Sequence, residues 1–257
     1  MEDKIEQVAE LIAKSEHLVM FTGAGVSTES GLPDYRGPEG IWTLRDKGLE
    51  PKLPKIPWHM VEPNFSHHAI VDLQNLGLLK FLIAQNVDNL HLKSGIRPDI
   101  IAELHGNSTL LKCLACDFRI SKKEAGWDDT THGKGYRTYK EVRGQPRCPK
   151  CGGRLISSVV NFGDSMPDRE MRESAWHSKK CDVFIVVGSS LAVFPAADFP
   201  VIAKRNGAKV IIINNGETML DDVADVRIDG KAGEILPEIV KQVRKKLGDA
   251  GSSAERN

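Results

Sequence analysis

Hydrophobic positions along this chain recur with two periods, and their succession outlines a fold. Residues Lys4 to Ser15 place Ile5, Val8, Leu11 and Ile12 on one side, the spacing of an amphipathic helix. His17 to Phe21 then reads as a short buried strand that ends in Thr22-Gly23-Ala24-Gly25. Ser66 to Leu76 repeats the helical pattern, with Ser66 expected as its cap and Gly77 as its stop. Leu79 to Ala84 is a second buried strand and delivers Gln85-Asn86-Val87-Asp88. Further on come a strand over Asp182–Val187, a helix over Ala196–Arg205 and a strand over Lys209–Ile213. A short strand over Ala224–Ile228 and a closing amphipathic helix over Glu234–Leu247 complete the series. Strands alternating with helices predict an α/β fold: a Rossmann-like, doubly wound parallel sheet with helices on both faces.

Two stretches interrupt this rhythm. Gly31 to Pro63 is rich in Gly, Pro and Trp with little periodicity, and its bulky Tyr35, Trp42 and Trp58 predict a long ordered loop. From Cys113 to Cys151 the chain turns polar and reads as an insert without a core of its own. The expected organisation is a discontinuous Rossmann-like domain over residues 1–107 and 152–247. It carries the loop at 31–63, an inserted small domain at 108–151 and a frayed tail at 248–257.

The length of 257 residues suits one large domain, or one plus a small insert. Lys+Arg and Asp+Glu both number 35, so no global field draws the protein to nucleic acid or an anionic membrane, and only a local patch could. No stretch approaches the ~20 apolar residues of a membrane helix, and the charged start lacks the apolar region of a signal peptide. The expected location is intracellular and cytoplasmic, with the nucleus left open. In that reducing setting cysteines favour metal over disulfides.

Four of the five cysteines form two CxxC knuckles, Cys113/Cys116 and Cys148/Cys151. Four thiolates from two such turns close a tetrahedral zinc site with no open position, so the expected metal is one structural zinc. Cys181, before an apolar strand, reads as a small buried hydrophobe.

A strand leading into Gly23-Ala24-Gly25, then an expected helix start at Ser27 and Thr28, is phosphate-binding architecture. Thr28 takes the place of the third glycine of the dinucleotide fingerprint, and no ribose-binding carboxylate follows about 20 residues on. Gly188-Ser189-Ser190 and Asn214-Asn215-Gly216 follow two other strands. Open α/β sheets bind ligands at those carboxyl ends, so the three loops together point to a nucleotide. Among eight histidines, His105 stands out because it follows Leu104 and precedes Gly106, which admits a close ligand or backbone. His17, His67, His68, His132 and His177 read as surface or helix residues.

These segments resemble the sirtuin family of NAD-dependent protein deacylases. The matching pieces are GAGVSTESGLPDYRG (Gly23–Gly37), QNVDNLH (Gln85–His91), ELHGN (Glu103–Asn107), the two CxxC pairs, VVNFGDSMP (Val159–Pro167), GSSLAVFP (Gly188–Pro195) and INNG (Ile213–Gly216). They follow the family order from about Leu18 to Gly233. GPEGIWT (Gly37–Thr43) is similar to the subgroup that includes the vertebrate nuclear sirtuins.

The resemblance implies an enzyme that consumes NAD to remove acyl groups from protein lysines, releasing nicotinamide and O-acyl-ADP-ribose. It implies NAD contacts from Ala24, Thr28, Tyr35, Arg36, Trp42, Gln85, Gly188, Ser190, Asn214 and Ala232. Asn86 and Asp88 would shape the nicotinamide and ribose pocket with support from Asp34, and His105 would be the general base. Val160, Asn161, Phe162 and Gly163 would line the acyl-lysine channel and pair with substrate backbone by strand addition. In the implied chemistry the substrate's acyl oxygen attacks the ribose carbon as nicotinamide leaves, so no Ser, Cys or Lys nucleophile is needed. His105 then takes a proton from a ribose hydroxyl, and the loop after Arg36 serves as a lid. Two positions depart from the family: Tyr35 replaces a common Phe, and Asn89 replaces a common Gly.

Two rival readings use the same residues. A mono-ADP-ribosyltransferase would cleave NAD and transfer ADP-ribose to a protein. A non-catalytic NAD or ADP-ribose reader would have no need of His105. A zinc-ribbon nucleic-acid module is disfavoured by the zero net charge and the lack of a basic tail.

Overall fold

The computed structural model describes residues 1–51 and 58–254, with backbone alone for His59 and 249–254. In chain order the elements are α1 (Glu2–Lys14), β1 (Leu18–Thr22), a 3₁₀ turn (Ala24–Ser30), α2 (Ile41–Asp46), α3 (Phe65–Asn75), β2 (Leu79–Ala84), α4 (Leu90–Ser94) and β3 (Ile101–Glu103). Next come β4 (Leu110–Cys113), β5 (Arg119–Ser121), α5 (Asp129–His132), β6 (Leu155–Ser157) and α6 (Asp168–Lys180). The chain closes with β7 (Val183–Val187), α7 (Asp198–Arg205), β8 (Lys209–Asn214), β9 (Val226–Asp229) and α8 (Ala232–Ala254).

Six strands form one parallel sheet in the order β3-β2-β1-β7-β8-β9. The order reverses between β1 and β7, the switch point at which such sheets open a crevice. Register makes that crevice usable. Thr22 pairs with both Ala84 and Val187, and Val187 pairs with Ile213. The strand ends are therefore level, and the loops beginning at Gly23, Gln85, Gly188 and Asn214 share one edge.

Alternation along the central strands feeds two cores. Met20, Ile185 and Ile211 face one side, packed with Val8, Ile12, Leu73 and Leu236 from α1, α3 and α8. Phe21, Phe184 and Ile212 face the other, packed with Phe199 of α7. Burying both faces is why these strands read as unbroken apolar runs.

A second, antiparallel sheet orders β5-β4-β6. Its strand β6 lies past the boundary drawn at residue 151. The expectation of a coreless insert is wrong, because Leu111, Trp127 and Leu155 cluster with Cys113 and Cys148. The core is small enough to escape a composition count.

Other expectations also shift. The cap of α3 is Asn64, whose side chain accepts from Ser66 N and which forms a reciprocal box with His67. Ser66 is inside the helix. The closing helix runs from Ala232 to Ala254, through most of the segment read as a tail, whose last residues 255–257 lie outside the described part. The loop at 31–63 contains α2 and a short turn at Trp58–Met60, and its residues 52–57 also lie outside the described part. His67 is fully buried, and His177 stacks on Phe81 at 3.9 Å while its Nδ1 meets His17 Nε2 at 2.9 Å. Both lie in helices, as one of the two readings had it, and neither is exposed. Cys181 is buried as expected, and burial pushes its thiol up to about 12.

Candidate active site

The level strand ends frame a cleft of about 2170 Å³. It gathers Ala24, Gly25, Thr28, Asp34, Tyr35, Arg36, Trp42, Gln85, Asn86, Asp88 and His105. Val160 to Gly163, Gly188 to Ser190, Asn214 to Gly216 and Ala232 also line it. Gly23 alone of the expected residues is outside the lining. The sequence missed Ser27, Glu29, Val193 and Lys231, which line the cleft as well.

Packing alone already requires the glycines of the first loop. A Cβ on Gly23 would meet Gly188 O at 2.7 Å, and one on Gly25 would meet Gly188 Cα at 2.8 Å. Gly25 N donates to Gly188 O at 2.8 Å, so its N–H is already used. Gly188 itself sits at φ +61 with Val26 N only 2.4 Å from any added Cβ. Two strand-end loops thus press backbone to backbone. The expected helix start at Ser27 and Thr28 is a 3₁₀ turn, in which Thr28 Oγ1 donates to Gly25 O.

Ser27 explains the shape of the next loop. Its hydroxyl donates to Asp88 Oδ2 at 2.7 Å and accepts from Asn86 Nδ2 at 3.1 Å. Leu90 N donates to Asp88 Oδ1. The carboxylate therefore holds the loop in place, while the buried Asn86 Oδ1 is left without a protein partner. A buried acceptor in that state calls for a donor from a ligand or water.

Val160 N donates to the His105 carbonyl at 2.9 Å. The histidine's Nδ1 lies 2.9 Å from the Gln85 carbonyl. A carbonyl only accepts, so neutral His105 carries its proton on Nδ1 and keeps an acceptor lone pair on Nε2. Burial holds its pKa below the ordinary histidine value. At neutral pH the ring is a free base. Gly106, at φ +76, is needed for backbone, since a Cβ there would lie 2.0 Å from Ser158 O.

A buried amide chain braces this loop against its neighbour. Asn107 Nδ2 donates to Glu103 Oε1 at 2.7 Å and to Asn89 Oδ1 at 2.8 Å. Asn89 adopts φ +67, the conformation that suits the glycine it replaces, and asparagine tolerates it better than most residues. Burial raises the Glu103 carboxyl to about 7. Beneath the loop, His91 Nε2 lies 2.9 Å from Thr22 Oγ1. The His67 and His91 rings stand 5.0 Å apart, and burial depresses them to about 3 and about 4.

Aromatic rings build the other wall. Tyr35 and Trp42 lie 4.9 Å apart, Trp42 and Phe162 5.7 Å apart, and the Arg36 guanidinium sits 4.8 Å over Trp42. Desolvation, then the Asp88 charge, raises the Tyr35 hydroxyl. Asp34 accepts from Gly37 N, which folds the start of this wall back on itself.

Away from the cleft, the sulfurs of Cys113, Cys116, Cys148 and Cys151 all lie within 4.8 Å of one another. Three of their separations are 3.3, 3.5 and 3.8 Å. A tetrahedral zinc with ~2.3 Å bonds needs sulfurs about 3.8 Å apart, so the set fits that ion. Gly153 is required there, because a Cβ would stand 2.8 Å from Cys113 Sγ.

The chain is similar to known proteins over nearly its whole length. NAD-dependent protein deacylase 2 of Archaeoglobus fulgidus is 43% identical over 95% of this chain and 98% of its own length. A family model described as the Sir2 family matches residues 50–195. The chain belongs to the Sir2 family. Another Sir2 relative, NAD-dependent protein deacetylase SRT1 of Arabidopsis thaliana, is 38% identical over 95% of this chain and 50% of the plant protein. The structure of Sir2Af2 bound to a myristoylated histone peptide is 40% identical, covers 97% of this chain and 100% of that one, and superposes with a TM-score of 0.69. The Sir2 fold accounts for both sheets and for the four-cysteine cluster. Among the described residues no helix is long and apolar enough to cross a membrane.

Proposed function

We propose that this protein is an NAD-dependent protein-lysine deacylase that releases nicotinamide and O-acyl-ADP-ribose. The observation that carries the reading is His105, a neutral imidazole fixed through Nδ1 to the Gln85 carbonyl on the cleft wall. Relatives named as NAD-dependent deacylases, and a Sir2 structure holding an acylated peptide, support it.

The site fits NAD. The cleft lies at the switch point of a parallel sheet, and the orphaned Asn86 Oδ1 suits the amide N–H of a carboxamide. When bound, NAD supplies a ribose carbon activated by its leaving group. Ala24, Gly25, Thr28, Gly188 to Ser190, Asn214 to Gly216 and Ala232 hold the nucleotide, with Gly23 packing behind them. Asp34, Tyr35, Arg36, Trp42, Gln85, Asn86 and Asp88 surround the reacting end. His105 Nε2 accepts a proton, a role open to it because burial keeps the ring uncharged. Val160 to Gly163 meet the acyl-lysine, although Val160 N is committed to His105 O and Gly163 turns at φ +88. Phe162 is 82% exposed, which makes it the apolar group that an arriving acyl chain would cover. The loop over 31–63 acts as the lid.

The four cysteines hold one structural zinc, whose full thiolate set leaves no position for substrate. A reducing cytoplasm suits those thiols. On GPEGIWT the chain is assigned to the subgroup that includes the vertebrate nuclear sirtuins. Residues 1–107 and 158–247 form the NAD-binding domain, and 108–157, which includes β6, the inserted one.

A panel of acyl-lysine peptides with labelled NAD tests this. Deacylated peptide and labelled acyl-ADP-ribose are expected. Label on protein without deacylated peptide would support the ADP-ribosyltransferase instead.

A further inference from the structure

The zero net charge conceals two unlike regions. Between Leu110 and Ser157 the chain carries eleven Lys and Arg against five Asp and Glu, while the rest carries 24 against 30. Four thiolates on one divalent zinc would add two negative charges, and the module stays positive. The excess is concentrated. From Lys134 to Arg154 the basic residues are Lys134, Arg137, Lys140, Arg143, Arg147, Lys150 and Arg154, and Glu141 is the sole acid.

This strap is irregular backbone fastened along its length. Ser157 N donates to Gly135 O at 2.7 Å, and Gln145 Nε2 donates to Leu155 O at 2.6 Å. Arg147 bridges Arg154, whose guanidinium donates to the Tyr139 carbonyl. Lys134 and Arg147 pair with Asp129 and Glu141. Among the described residues no carboxylate pairs with Arg137, Lys140, Arg143 or Lys150, and all four are exposed. Tyr139, 49% exposed, stands among them.

We infer that the strap binds the phosphodiester backbone of nucleic acid without reading its sequence. Cations every three or four residues along a non-helical strap suit an evenly charged polymer better than the irregular acids of a protein surface. An exposed ring between them offers a stacking platform. The one side-chain amide in the strap, Gln145, is buried and used internally, so no amide is on offer to read adenine edges. The strap's first residues, Lys134 and Tyr136, line the cleft. Given the proposed deacylase, a bound polymer would hold its own acylated proteins beside the site.

The test is fluorescence anisotropy of the zinc-loaded full chain with a labelled random duplex of ~20 base pairs, with single-stranded DNA and RNA of equal length as further arms. The expected result is binding at ~50 mM salt with a log–log salt slope of about −3 to −4 on duplex, from four phosphate contacts. The variant carrying R137Q, K140Q, R143Q and K150Q keeps zinc and peptide turnover, binds at least tenfold more weakly and shows a flatter slope. Should it lose zinc, R143Q alone decides, with an expected slope change of about one. Failure of the wild type to bind any of the three polymers would overturn the inference. So would equal binding by the zinc-loaded variant, or competition by polyglutamate as effective as that by duplex.

Discussion

The Rossmann-like body and the zinc module hold their chains by opposite means. The body buries two large apolar layers against one sheet, with Phe21, Phe184, Ile212 and Leu236 fully out of solvent. The module buries Leu111, Trp127 and Leu155, and two of its remaining core members are the metal ligands Cys113 and Cys148. A core that small cannot offset the entropy of ordering its segment. The module depends on its metal, while the body depends on shape and area.

Metal removal should separate the two most sharply, because structural zinc carries on the order of 10 kcal/mol of folding free energy. After chelation, or in Cys148→Ser, amides from Leu110 to Ser157 should exchange rapidly while β1, β7 and β8 stay protected. Equal loss of protection in both regions would contradict the division. His105→Ala, at the junction, should lower the formation of deacylated peptide by roughly 10²- to 10⁴-fold with zinc content and melting unchanged. Phe184→Ala should cost the body about 3–5 kcal/mol in urea. Leu111→Ala, of the same kind, should instead weaken zinc retention and leave the body's transition in place.

The pH response should belong chiefly to the body. His67 and His91 fall to about 3 and about 4 when folded, against ~6.5 unfolded. The unfolded chain takes up protons first, so stability is full above about 6.5 and falls as pH drops towards 4. His67→Gln should flatten that fall. Glu103 runs the other way. Its folded value of about 7 means that stability is full below ~4.5 and declines as pH rises to 7. Glu103→Gln should raise the urea midpoint above pH 7 and leave it unchanged at pH 4. The smallest effect is expected for Asn89→Gly, within about 1 kcal/mol, since it relieves a positive φ and loses one hydrogen bond to Asn107.

Much of this was legible in the sequence. The strands appeared because burial on both faces makes them continuous apolar runs, and the cysteines because a metal site imposes spacing. The helix α6 did not appear. Its buried face is Glu170, Ser174 and Ser178, and Glu170 is held by Arg119 of the module at 2.5 Å, so no apolar period marks it. Strand β3, three residues long, lacks room for a pattern. Most site loops were readable from their place after strands. Ser27 was not, because its partners Asn86 and Asp88 lie about 60 residues away and are joined to it only by folding. The glycines were located correctly for a reason that only the packed loops reveal.

The two passages of chain between body and module run side by side: Gly106 touches Ser158, Asn107 N donates to Ser158 Oγ, and Val160 N donates to His105 O. From the body's viewpoint, everything between them is a closed loop rooted on a narrow stalk, with Arg119 near its base held to Glu170 of α6. Such a stalk transmits little of what happens at the far end of the module, so that end can lengthen, shrink or change its surface over evolution. The imidazole at the stalk's foot stays where it is. Divergence should therefore collect at the tip of the insert and be resisted at its root.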